Sequence, residues 1–182
     1  MTGSAGRDTR GITIRRIELD DHANVRYLHT KSMMAHSGDA LNDAEIAAFV
    51  ALVNSPAYSD CILAEDVHGA FVDGQLIGTA SWQVNGDDGR TARISSVFVD
   101  PMFARLGVGR RLLSEVEARA RQSGFDQFGI SATLNSVSFF EKLGYREASR
   151  GVKMLGPDCS LPVAFLRKTV SPFARPARAP AA

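Results

Sequence analysis

Val97-Phe98-Val99-Asp100-Pro101, then Ala104-Arg105-Leu106-Gly107-Val108-Gly109-Arg110, leads directly into an amphipathic stretch that ends near Gln122. The apolar run before Asp100-Pro101 predicts a strand over 93–99, closed where proline has no amide to give a ladder. Beyond the loop, Val108, Leu112, Val116 and Ala120 recur every four residues with Leu113 beside them, which predicts a helix over 107–122 with Gly124 as its stop. Strand, glycine loop and helix in immediate succession suit an anion site, or a tight helix entry where two elements pack closely. The first-turn amides have no intrahelical acceptors, the helix dipole is positive there, and missing Cβ atoms let phosphate oxygens reach the backbone. Arg105 and Arg110 add cationic donors. Two phosphate-binding modes fail on spacing: a dinucleotide fingerprint wants a third small residue where Leu112 stands, and a P-loop wants Gly-Lys-Ser/Thr.

Outward from this stretch, period-two alternation predicts a strand over 12–17. Asp20-Asp21 offers an N-cap for a helix to about His36, and Asn42 or Asp43 one for a helix with the stripe Ile46, Phe49, Val50 and Val53, which Pro56 should end. Residues 69–72 and 75–84 flank Asp73-Gly74, a type I′ hairpin pair, and Asn85-Gly86-Asp87-Asp88-Gly89 marks a further turn. Strands over 128–132, 145–154 and 162–168 and a short helix over 135–142, stopped by Gly144, complete the order β α α β β β α β α β β. The domain is expected over 11–170, between a polar tail at 1–10 and a Pro/Ala/Arg tail at 171–182 whose composition cannot offset its own ordering entropy.

Composition fits this picture. Of 182 residues, 45% are hydrophobic and 23% charged, enough for one domain with its own core and no stapling disulfides or structural metal. The 21 basic and 20 acidic residues nearly cancel, so no basic stripe draws nucleic acid. Cys61 and Cys159 form no CxxC pair, and no window has the apolar length of a membrane span. With a polar, Gly-rich start and reduced thiols, the expected location is cytoplasmic.

The stretch 97–110 resembles the acyl-coenzyme A motif of the GCN5-related N-acetyltransferases (GNAT), Arg/Gln-x-x-Gly-x-Gly/Ala, and Leu134-Asn135-Ser136-Val137-Ser138-Phe139-Phe140-Glu141-Lys142-Leu143-Gly144-Tyr145 resembles their second motif. The resemblance covers about Ile12 to Lys168. It implies an α/β fold with a mixed, mostly antiparallel sheet flanked by helices, acetyl-CoA as acyl donor, an amine-bearing acceptor and, by family habit, a homodimer. It further implies that the strand Val97, Phe98 and Val99 pairs with pantetheine through the amides of Val97 and Val99. Arg105, Leu106, Gly107, Val108, Gly109 and Arg110 would wrap the pyrophosphate. Asn135 would touch the pantetheine arm, and Phe140 would stand where many relatives carry a proton-donating tyrosine.

Attack of a neutral amine on a thioester needs a proton acceptor and tolerates a thiolate leaving group of reference pKa about 8.5. Phe140 has no proton to give, and Tyr145 reads as a packing aromatic. The strand position where relatives often carry a glutamate holds Arg93, which cannot act as a base; period two would place Arg93, Ser95, Val97 and Val99 on one face, where Arg93 or Ser95 could orient an acceptor or a water, or Arg93 could be a solvated edge residue. Glu65, Asp66 and His68 precede the hairpin, either as a remote base or as a polar approach to a strand. His22, His29 and His36 recur every seven residues, about 10 Å apart on a helix, too far to share a metal without other ligands, so no metal is expected. Tyr27, Met33 and Met34 could line an acceptor pocket but read by default as core, and Trp82 as core or pocket wall. The leading expectation is an acetyl-CoA-dependent N-acetyltransferase. The competing class, motivated by Phe140 and the missing strand carboxylate, is a non-catalytic acyl-CoA-binding sensor or interaction module.

Overall fold

The computed structural model describes residues 11–35, 41–85 and 89–170. The two terminal tails, His36 and the centre of the turn at 86–88 lie outside the described residues. The elements run β1 (Thr13–Arg16), α1 (His22–Met34), α2 (Asp43–Val53), α3 (Pro56–Ala64), β2 (Asp66–Val72), β3 (Gln75–Val84), β4 (Thr91–Val99), α4 (Val108–Gln122), β5 (Gln127–Thr133), α5 (Val137–Glu141), β6 (Arg146–Gly156) and β7 (Cys159–Thr169). The strands form one seven-stranded sheet in the order β1-β2-β3-β4-β5-β7-β6. Every neighbouring pair is antiparallel except β4 with β5, which are parallel and so require the crossover that α4 supplies.

Two layers of helix cover the sheet. On one face α4 packs its stripe of Val108, Leu112, Leu113, Val116 and Ala120 against Ile77, Ala80, Ala92, Ile94, Phe128 and Ile130. On the other, α1, α2 and α3 close two smaller clusters, one around Met33, Phe49, Val53, Leu161 and Val163, the other around Val25, Leu28, Ile62, Val67 and Phe71. Tyr27 and Met34 point outward and only Met33 joins the core, so the default reading of all three as core is corrected: they occupy different sides of one helix.

Local chemistry explains most boundaries. Asn42 and Glu45 form a reciprocal capping box at the start of α2. Asp73 and Gly74 both have positive φ, 49° and 78°, as the hairpin requires. Asp21 does not cap α1; its carboxylate receives Arg15 at 2.7 and 3.0 Å and the Glu18 amide at 2.9 Å, and the Arg15 hydrogen bond holds its pKa below the ordinary value. The expected order lacked α3. Pro56 ends no helix; it begins one, at N1, with Ser55 as the cap accepting from the Tyr58 amide at 3.2 Å.

Close approach of α4 to β3 depends on Gly78, where an added Cβ would stand 2.8 Å from Leu112 Cδ1 and 3.1 Å from Val108 Cγ1. Gly78→Val is therefore expected to cost about 1–3 kcal/mol by overpacking. A lower urea midpoint with an unchanged slope is the signature to look for.

Candidate functional site

β4 pairs with β5 only from Thr91↔Gln127 to Ile94↔Ile130, and then the two strands part. β4 continues with β3 to Val99, while β5 stays with β7 to Thr133↔Val163. The result is a wedge, open between two parallel strands. At its apex β4 carries one extra residue, since Thr79↔Phe98 on the β3–β4 ladder is followed by Ser81↔Ser95. Ser96 takes up the bulge with φ 52°, a left-handed conformation that costs a non-glycine residue about 1–2 kcal/mol.

The bulge inverts the side-chain phase. Arg93 and Ser95 lie on the face that receives Glu65, whereas Val97 and Val99 pack into the α4 cluster. The expectation that these four share a face is corrected, because period two fails across an inserted residue. Arg93 is solvated as one reading has it, its side chain about half exposed, but not on a sheet edge, since β4 is flanked by β3 and β5. Below the bulge the Asp100 amide donates to the Ile77 carbonyl at 2.9 Å. Strand alternation then turns the amides of Val97 and Val99 away from β3, toward the wedge. Helix α1 fastens this stretch of β4: Ser32 Oγ donates to the Val99 carbonyl, and Lys31 Nζ meets the buried Asp100 at 2.8 Å.

After Asp100, which caps a 3-10 turn over Pro101–Phe103 by accepting from the Met102 amide, the chain turns through two left-handed residues, Arg105 at φ 65° and Gly107 at φ 81°. Gly107 is the N-cap of α4, and a Cβ there would meet nothing within 4 Å. Arg105, Leu106, Gly107 and Arg110 are exposed, while Val108 and Gly109 are buried. A Cβ on Gly109 would stand 3.2 Å from the Phe139 ring and 3.4 Å from Val99 Cγ2, so this glycine lets the helix start, β4 and α5 meet. Exposed guanidinium groups, open space over a left-handed glycine and first-turn amides together suit a diphosphate.

On the opposite wall, Asn135 is exposed in the turn Leu134–Ser136 that ends β5. Phe140 is 4% exposed and sits in the core, edge-on to Phe139 and Tyr145. Phe139, not Phe140, is the ring beside Gly109 and Val99. Tyr145 is equally buried, and its hydroxyl donates to Glu117 Oε1 at 2.9 Å, where Lys168 also binds. Burial, then the Glu117 charge, pushes this phenol far above the tyrosine range.

Glu65, at the junction of α3 and β2, reaches the apex of the wedge. Its side chain is only 10% exposed, and it receives Ser81 Oγ, Ser95 Oγ at 2.9 Å and Ser96 Oγ at 3.4 Å, with Arg93 Nη2 at 3.6 Å. Of the two expectations for Glu65, Asp66 and His68, a remote base or a polar approach, neither separates Glu65 from its neighbours. The signal was present in two serines, Ser81 and Ser95, that the ladder sets opposite each other in the middle of the sheet. Lys153 of β6 lies in the same electrostatic neighbourhood, its pKa lowered by burial and then by Arg93. Asp66, by contrast, accepts from Trp82 Nε1 at 2.8 Å, and His68 is buried on β2.

His29 is no surface histidine of α1. It is fully buried, stacked on Phe98 with ring centroids 4.1 Å apart, and hydrogen-bonded to Tyr58 Oη at 2.5 Å and Thr79 Oγ1 at 2.7 Å. Burial pushes its pKa down to about 3, and His68 moves in the same direction for the same reason. The unfolded chain takes up this proton below about pH 6.5, and the folded chain does not until about pH 3. Stability from His29 is thus complete above pH 6.5 and falls as the pH drops toward 3, by up to about 1.4 kcal/mol per pH unit. Urea titrations at pH 7, 6 and 5 should show this slope, and His29→Gln should flatten it.

The model of a family described as "Acetyltransferase (GNAT) domain" matches residues 38–156. An uncharacterised N-acetyltransferase of Pyropia yezoensis is 30% identical over 104 residues, which cover 57% of this chain and 56% of that one. The chain spans about half the length of the curated relatives it matches. Among solved structures, a GCN5-related N-acetyltransferase from Rhodopseudomonas palustris superposes with TM-score 0.77 at 19% identity, covering 87% of this chain and 95% of its own. An acetyltransferase from Salmonella typhimurium, solved with its cofactor acetyl-CoA, superposes with TM-score 0.61 at 22% identity over 91% of this chain and 97% of its own.

Proposed function

Because the chain belongs to the GNAT acetyltransferase family, we propose that it is an N-acetyltransferase that moves the acetyl group of acetyl-CoA to a primary amine by direct attack. The observation that carries this reading is the wedge: two parallel strands part beside a left-handed glycine loop, with a shielded carboxylate at the apex. When bound, the thioester supplies an electrophilic carbonyl and a thiolate leaving group. The amides of Val97 and Val99 hold the pantetheine arm as a strand would, with Phe98 anchoring that strand from behind. Arg105, Leu106, Gly107, Val108, Gly109 and Arg110 wrap the diphosphate, and Asn135 contacts the arm from β5. Phe140 supports this wall from the core through its contact with Phe139.

Glu65 takes the proton that the acceptor nitrogen must shed as it forms the new amide bond. It is suited to this by its place beside Ser96 and by three serine hydroxyls that orient it. Tyr145 is committed to Glu117, so the leaving thiolate relies on its own low basicity or on water. No single helix among the described residues is long and apolar enough to cross a membrane, and both cysteines are free, features that support a cytoplasmic enzyme. A homodimer is the family expectation carried with this reading.

Thiol release from acetyl-CoA across a panel of amines, beside a CoA thermal-shift titration, tests the proposal. Release that depends on an amine is expected; stabilisation by CoA with no release on any amine would favour the binding module instead. Glu65→Gln should lower kcat by about 10²-fold or more while the Kd for CoA stays put. Gly107→Val should leave the domain folded and weaken CoA binding at least tenfold, and an unchanged affinity would count against the diphosphate loop.

A further inference from the structure

The hydrogen bonds around His29 have only one consistent direction. The Ser96 carbonyl can only accept, so the single hydroxyl hydrogen of Thr79 goes to it, at 2.7 Å. Thr79 Oγ1 then accepts from His29 Nε2 at 2.7 Å, which puts the ring hydrogen on Nε2. His29 Nδ1 is left to accept from the Tyr58 hydroxyl at 2.5 Å. A buried relay therefore runs from Tyr58 on α3 through His29 on α1 and Thr79 on β3 to the one carbonyl that belongs to the strained residue of the bulge.

Peptide geometry carries the consequence further. No peptide bond among the described residues is cis, and in a trans peptide the C=O and N–H point in opposite directions. Fixing the Ser96 carbonyl toward Thr79 on β3 therefore aims the Val97 N–H away from β3, into the wedge. Val97 is also the wedge residue next to the Glu65 cluster, so its amide faces the reacting end of the donor arm and not its distant phosphates.

We propose that His29 is a positioning residue for acyl transfer: through Thr79 it fixes the Ser96–Val97 peptide plane, and with it the amide hydrogen that meets the acyl donor. Neutrality suits the task, because burial keeps the imidazole uncharged with one donor and one acceptor nitrogen. The inference rests on the wedge being the acyl-donor site, and it can be tested apart from that reading.

The residual dipolar coupling of the Val97 N–H, measured on the full chain without ligand, reads the peptide plane directly. It should fit the structure in the wild type and in Thr79→Ser, which keeps the hydroxyl. It should depart from it in Thr79→Val and His29→Leu while couplings along α4 hold. If His29→Leu does not fold, Thr79→Val carries the test; an unchanged coupling in the folded variant overturns the proposal. With acetyl-CoA and an amine that supports thiol release, Thr79→Val should lose about 10- to 100-fold in kcat with the Kd for CoA within threefold, and Thr79→Ser should restore most of the rate. Loss of CoA affinity in step with kcat would overturn the positioning role by making Thr79 merely structural. A shifted coupling in Thr79→Val together with a wild type that neither binds CoA nor releases thiol would overturn the donor-site reading, and with it the catalytic half of this inference, while the plane assignment stands.

Discussion

A parallel sheet neighbour lost halfway along a strand is the constraint on which this structure is organised. β4 has partners on both sides as far as Ile94 and on one side only beyond it. A strand left with an open edge in the interior of a sheet exposes unpaired amides and carbonyls, which must find partners or face solvent. Here the unpaired side of Val97 and Val99 opens into the gap that the glycine loop and the β5 turn enclose. The same loss of pairing that would destabilise an ordinary sheet creates a place where an extended ligand can complete it.

The open half of β4 is held from the helical layer instead. Three side chains of α1 reach it within two turns: His29 stacks on Phe98 and binds Thr79, Ser32 binds the Val99 carbonyl, and Lys31 binds Asp100. These contacts cover the segment from Ser96 to Asp100, the stretch without a β5 partner. Helix α1 thus works as a splint, and it is also a helix of the face on which Glu65 and Arg93 lie. A displacement of α1 would be felt at the wedge through packed groups with little freedom to absorb it.

The sequence carried the sheet, the hairpin and α4 openly, because each has a periodic pattern and a turn signal within one short window. The Gly107-Val108-Gly109 junction was legible for the same reason: its chemistry is local. What it did not reveal was non-local or conformational. Pro56 read as a stop because proline breaks helix interiors, yet Ser55 before it makes it a start. The phase of β4 was misjudged because nothing marks Ser96 as left-handed; a serine there is held by Thr79, seventeen positions away. His29 meets the wedge only through topology, and Glu65 does so through two serines whose pairing shows only once the β3–β4 register is known.

The buried aromatic wall and the Glu65 carboxylate belong together. With Phe140 in the core and Tyr145 tied to Glu117, no phenol from α5 or the start of β6 is available at the wedge. Arg93 on β4 is paired at 3.6 Å with Glu65, which comes from β2's approach to occupy the neighbouring space. Ser81, Ser95 and Ser96 donate to the same Glu65 carboxylate, so its orientation at the apex is set by neighbours on β3 and β4. In the proposed reaction the chain's contribution would therefore lie in the Glu65 carboxylate and a preorganised backbone amide, with no phenol from this wall.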